Sequence, residues 1–280
     1  MPLPSVDNTY TTVPLRGKKS ALYRRYLQLE DDRSSWRSHW QEITDYITPR
    51  RGRYLIESQN SKGRKRTTKI IDSTGTQAMR TMAAGLMSGM TSPARPWHRR
   101  KVRDDLMDDG EVRSWLAQVE HIERSILHKS NFYNSIHTVY TELGSFGTAP
   151  LYRQPSFDNV IRFRPFTAGE YVIAENDLGE VDTLGRHFTM TVGQIIQKFV
   201  HSEDGAMGWK GVSKATKKLW DDGNYDARVE VVHFIEPRLM ADREYGKKDG
   251  KNMPFKSCYF ELSSESDEFL MEGGYNKFPA

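Results

Sequence analysis

The chain has a single cysteine, Cys258, in 280 residues. A lone cysteine makes no internal disulfide, and no paired-Cys zinc spacing exists. A reducing interior such as a bacterial cytoplasm fits that usage. Long apolar runs are lacking too. The longest unbroken one, Tyr171 to Ala174, is far too short to cross a bilayer. The N-terminus, Met1-Pro-Leu-Pro-Ser5, carries no apolar signal region. No G-x-x-x-x-G-K-[ST] occurs, and Gly17-Lys-Lys-Ser20 lacks the earlier glycine of a phosphate loop. G-x-G-x-x-G, G-x-S-x-G and H-E-x-x-H are likewise missing. His121 and Glu123 give an H-x-E without the P-C-x-x-C that a zinc deaminase adds. No catalytic set and no cofactor motif is therefore legible, so we expect no enzyme and no cofactor.

What is present begins with charge. The net charge is +4, a mild excess, but its distribution is uneven. Residues 1–103 carry 21 Lys plus Arg against 8 Asp plus Glu, a net of +13, and the remainder nets −9. Such asymmetry suggests a polyanion partner, or one part of the molecule meeting another part of a neighbour. The densest basic stretch holds Arg50, Arg51, Arg53, Lys62, Arg64, Lys65, Arg66 and Lys69, opposed only by Glu57. Its middle has loop composition. It reads as a contact for DNA or for a neighbouring subunit, or as a solvated loop.

Acidic clusters have plainer readings. Asp104, Asp105, Asp108, Asp109 and Glu111 precede a helix, where carboxylates suit the dipole. Asp221, Asp222, Asn224 and Asp226 lack EF-hand spacing. Glu175, Asp177, Glu180 and Asp182 sit at a hairpin end, where nuclease carboxylates would cluster. His121 and His128 share a helix face at seven-residue spacing, and surface imidazoles explain them.

Periodicity predicts an α+β chain, helical first and β-rich afterwards. Residues 1–17 read as an arm, 18–148 as mainly helical, and 149–280 as β-rich with an antiparallel meander. From about Ser20 to Ile47 one helix is expected, with Leu22, Tyr26, Leu29, Trp36, Trp40, Ile43 and Ile47 on one stripe and Arg33 at the missing step. Trp36 and Trp40 are expected to be buried there. Trp97 to Val102 reads as a short strand, and helices follow at Glu111–His128 and up to Leu143. Strands are expected at Leu151–Arg153, Val160–Phe166, Glu170–Glu175, Glu180–Met190, Ala227–Ile235 and Lys256–Leu262. Thr191 with Gln194 forms a capping-box pair.

The centre is Asp72 to Trp97. Asp72, Ser73 and Thr74 start a helix, and Ala78, Met79, Met82, Ala83, Leu86, Met87 and Met90 recur at helical spacing. Gly85 and Gly89 share a face, which leaves room for another backbone to approach. Each costs roughly 1 kcal/mol inside a helix, so a close contact should compensate. Pro93 and Pro96 stop the helix.

This helix, followed by Thr91-Ser-Pro-Ala-Arg-Pro-Trp97, resembles the head-to-tail connecting (portal) proteins of short-tailed bacteriophages. Ser130 to Ala149 and Phe166 to Thr183, running on to Arg186 and Met190-Thr191, are similar in the same order and spacing. His98 departs, since the family usually carries another aromatic after Arg-Pro-Trp. The resemblance implies a structural subunit of a homo-oligomeric ring, typically a dodecamer, at one capsid vertex of the virion, assembled in the host cytoplasm. Double-stranded DNA is packaged and ejected through such a ring. Terminase, capsid and scaffolding proteins and tail adaptor proteins are its implied partners, with no membrane. Family members are much longer, so the resemblance makes these residues the outer, wing-like portion, with stem, clip and crown unseen. The alternative from another class is a basic, metal-dependent nucleic-acid-processing enzyme or a DNA-binding module.

Overall fold

A computed structural model describes residues 17–49, 67–203, 206–244, 246–247 and 249–280. Residues 1–16 and all of the basic stretch except Lys69 lie outside that set. The fold is α+β, with helices dominating the first half and antiparallel strands the second. It divides into two compact units. One joins residues 1–34 to 171–278, and the other comprises 35–170 with Pro279 and Ala280. The boundary expected after residue 148 falls inside the second unit, ahead of its β-hairpin.

The first unit is a five-stranded antiparallel sheet with a helix on each face. Its strands are β3 (Val172–Glu175), β4 (Val181–Thr191), β7 (Arg228–Pro237), β8 (Phe255–Glu261) and β9 (Met271–Tyr275), paired in that order. A small hairpin of β5 (Ser202–Glu203) and β6 (Ala206–Met207) lies apart from it. Strand alternation divides the core. Val232, Phe234, Cys258 and Phe260 point to one face, where Leu22 and Tyr26 of α1 (Gly17–Asp32) cover them. Val229, Val231 and Tyr259 point to the other, under Val192, Ile195, Ile196 and Phe199 of α7 (Val192–Phe199). The Thr191–Gln194 capping box is present in full, so α7 starts where its sequence directs. Ser213 caps α8 (Lys214–Asp221) through the Thr216 amide.

The second unit is helical with one hairpin. It contains α2 (Ser34–Tyr46), α3 (Thr74–Met90), α4 (Asp104–Met107), α5 (Gly110–Lys129) and α6 (Phe132–Phe146). The hairpin pairs β1 (Leu151–Ser156) with β2 (Val160–Pro165) residue for residue. Asn131 ties α6 to that hairpin. Its amide donates to Phe163 O at 2.7 Å while its carbonyl accepts from Phe163 N at 2.8 Å. Asp109 caps α5 by accepting from the Glu111 and Val112 amides, the role that acid at a helix start suggests.

Three expectations are corrected. The long first helix is interrupted at Arg33, the missing step of its stripe, and resumes as α2. Arg33 donates to Tyr171 O and to Glu30, so its side chain serves the sheet unit instead of extending an apolar seam. Past the break the stripe is no longer buried within the chain: Trp36 is 57% exposed and Trp40 is half-buried. Residues 97–102 form no strand, because Arg100 N donates to the Glu120 carboxylate and not to a neighbouring backbone. β9 was not anticipated at all.

Candidate functional site

The central stretch forms α3 and the turn after it. Within the helix only Ala83 is buried, although Ala, Met and Leu make up much of its sequence. Met79, Leu86 and Met87 are half-buried, and Met90 is 59% exposed. The inner side of α3 packs on α6, with Gly144 at the contact. A Cβ at Gly144 would run into the terminal methyl of Met82 and sit 3.0 Å from the Met79 sulfur. The close approach in this chain is therefore made by a glycine of the partner helix, which the sequence reading did not single out. The available signal was Gly144 continuing the apolar face of Val139, Tyr140 and Leu143.

Gly85 and Gly89 lie on the open side. A Cβ at either would meet nothing within 4 Å. Among the described residues no backbone crosses there.

At its C-terminal end α3 is anchored by a buried hydroxyl pair, Thr91 Oγ1 and Tyr140 Oη at 3.0 Å. Arg95 folds back to donate to Ser88 O at 2.8 Å. Trp97 then stacks on Phe132 with centroids 5.8 Å apart and donates to Tyr133 Oη at 3.3 Å. The Thr-Ser-Pro-Ala-Arg-Pro-Trp motif thus reverses the chain and pins it to the start of α6. His98, where the resemblance expects an aromatic, lies 4.5 Å from the Trp97 ring and 3.4 Å from Glu123. Glu123 also takes two donors from Arg100, which hold its carboxyl below the ordinary range.

The remaining candidates are dispersed. Of the basic stretch only Lys69 is described, paired with Asp45 of α2 at 2.7 Å. Arg50, Arg51, Arg53, Lys62, Arg64, Lys65 and Arg66 lie outside the described residues. Glu175, Asp177 and Glu180 are exposed at the β3–β4 turn, where Asn176 organises the backbone by accepting from the Leu178 and Glu180 amides. Among the described residues no three His, Cys, Asp or Glu side chains are grouped to hold a metal ion. No helix of the described residues is long and apolar enough to cross a membrane.

Two ionisable side chains are buried inside the sheet unit. Glu261 is fully buried and accepts from Ser213 N and Thr216 Oγ1, joining β8 to α8. Burial pushes its carboxyl up, against the pull of those donors and of Lys19. Lys19 of α1 is also fully buried, and desolvation lowers its ammonium despite Glu261, Asp267 and Glu268 nearby.

The motif that closes α3 is matched by more than shape. Residues 19–280 match the family model described as bacteriophage head to tail connecting protein. The chain belongs to that family. It is 43% identical over 264 residues to a probable portal protein of Bordetella phage BPP-1, and 41% identical over 263 residues to a portal protein of Salmonella phage epsilon15. Both alignments cover 94% of this chain but only 46% and 45% of the relatives. The connector chain therefore spans a little under half the length of the curated relatives it matches. Its α3 and its β3–β4 turn both fall within the matched residues.

Proposed function

We propose that this connector-family chain forms the outer part of a portal subunit, one of a ring of copies at a capsid vertex. Through that ring viral DNA is packaged and later ejected, and the tail attaches to it. In this reading the chain is a scaffold and not an enzyme, with terminase, capsid, scaffolding and tail adaptor proteins as its partners. One observation of geometry carries it. Helix α3 is apolar in sequence, yet it buries a single side chain and turns Gly85 and Gly89 to open space. Among the described residues that apolar face has no partner, and a face of this kind is stabilised by a partner outside the chain.

A second copy fits best. The chain carries +13 in its first 103 residues and −9 in the rest, so unlike surfaces of two copies attract. Ring closure needs that kind of heterologous contact. Electron microscopy of the intact protein tests the reading. Ring-shaped particles, typically of twelve copies, are expected. A protein that stays monomeric by sedimentation at assembly concentrations overturns it. Gly85→Leu should leave the fold intact and reduce ring yield, because it fills the space that the neighbour is expected to occupy.

A further inference from the structure

The turn that follows α3 lies over α5 and bounds a cavity of about 470 Å³. One wall is formed by Pro93, Ala94, Arg95 and Pro96. The other is a single face of α5, where His121, Arg124, Ser125 and His128 recur at i, i+3, i+4 and i+7. Two arginines, two histidines and a serine thus line one opening, and none of its lining residues is acidic.

The neighbouring carboxylates of α5 are engaged elsewhere. Glu120 accepts from Arg100 N at 2.6 Å, and Glu123 takes Arg100 and His98. Among the described residues no carboxylate pairs with Arg95 or Arg124. Arg95 spends one donor on Ser88 O. Arg124 is half-buried, and its Nε has lost its water without gaining an acceptor. A desolvated donor left unpaired is unfavourable unless something fills the position. Two like charges facing one cavity are unfavourable as well. Both conditions are relieved by the same ligand, a compact anion with several acceptor oxygens.

We infer that this cavity is a phosphate-binding site, built from Arg95 and Arg124 with His121, His128 and Ser125 as further donors. Phosphate fits better than a carboxylate. The donor-bearing residues line two walls, and a tetrahedral anion offers oxygens in both directions while a planar carboxylate offers one edge. The volume is ample for more than one isolated ion and lies in the range of organic ligand sites, which admits a nucleotide or a stretch of DNA backbone. The inference stands on the cavity alone and holds whether or not the chain forms a ring.

The test uses the intact protein in phosphate-free buffer, with inorganic phosphate, a short duplex DNA lacking terminal phosphates, and a glutamate-rich peptide as probes. Phosphate should raise the Tm of the wild type. In Arg95→Gln/Arg124→Gln the unliganded Tm should be no lower, since mutual repulsion is removed. Its phosphate affinity should fall roughly tenfold or more, as losing two charge-assisted hydrogen bonds does. Arg124→Lys, which keeps the charge without the fork, should retain an intermediate affinity.

The duplex separates two sources of phosphate. If the occupant is DNA backbone, the double variant binds duplex more weakly, and its log–log salt slope shrinks by about 0.9 for each phosphate no longer neutralised. If it is a free phosphate or nucleotide, duplex affinity is unchanged while phosphate affinity falls. Equal binding of phosphate and duplex by wild type and double variant overturns the proposal. So does a peptide that outcompetes phosphate, which would make the pocket a protein-docking site.

Discussion

Glycines that look alike in sequence differ sharply in what surrounds them. Gly185 in β4 faces the Phe234 ring at 2.7 Å and a Val172 methyl at 2.8 Å from where its Cβ would be. Neither group swings aside easily, so Gly185→Ala should cost about 1–3 kcal/mol by overpacking, read from denaturant melts. Gly85 has open space, and Gly85→Ala should instead stabilise the unassembled chain by about 0.5–1 kcal/mol. Nothing in the local sequence separates the two, because the difference lies in which strand or helix the fold brings opposite. Cys258 was more legible: it stands in the strand expected over Lys256–Leu262, where it is buried, and burial pushes its thiol up to about 12. It should be silent to Ellman's reagent at pH 8 until denaturant is added. The sign of its pH effect follows. Below the ordinary value of 9.0 neither the folded nor the unfolded thiol is ionised. Above it the unfolded thiol loses its proton first, so stability falls as pH rises towards 12. Cys258→Val should flatten that part of the stability–pH curve, and an unchanged slope would show that the thiol ionises as readily when folded.

Elements with their own start signals were the legible ones. Thr191 and Gln194 announce α7, and the capping box forms as written. Thr191→Ala should lower stability by about 0.5–2 kcal/mol in thermal melts, with the Gln194 backbone amide left without its Thr191 Oγ1 acceptor. Strands β7 and β8 were legible for a different reason, since both faces of the sheet are covered and their residues are apolar on each. The element that stayed hidden is β9. Its Gly273 and Gly274 carry no strand signal, yet a Cβ at Gly274 would meet Phe255 O at 2.8 Å and Met253 Cβ at 2.7 Å. Glycine is there because the next strand and the loop before it come close, a tertiary demand without a local signal. The break at Arg33 was half visible. The stripe skipped that step, and the periodicity alone did not say that a cation drawn to Tyr171 O ends the helix there. The candidate cavity was less visible still. His121 and His128 were placed on one helix face, but Arg95 reaches them only through the turn that Pro93 and Pro96 impose.

At the scale of the whole molecule the chain's uneven charge has to be matched by something. Within the chain Lys69 shows one answer, an ion pair with Asp45 on the adjacent helix. Seven further cations between Arg50 and Arg66 are too many for Glu57, the one carboxylate of that stretch. Residues 104–280 supply an excess of nine acidic charges, so in the proposed ring the expected partner of the basic stretch is that excess on an adjacent copy. Replacing Arg64, Lys65 and Arg66 together by glutamine should therefore weaken subunit association in a DNA-free preparation, read as a shift of the sedimentation profile towards monomer. Salt alone is a poor test, because it screens a neighbour's carboxylates and DNA phosphates alike. Composition separates them. If DNA is the partner, association in the absence of DNA stays as it was, duplex affinity falls, and the salt slope shrinks by about 0.9 per phosphate that the variant leaves unneutralised. The same triple variant leaves Arg95 and Arg124 untouched, so its binding of inorganic phosphate should equal that of the wild type. A triple variant that associates and binds duplex as the wild type does would show that the stretch is only a solvated face, and that the ring's contacts lie with α3 instead.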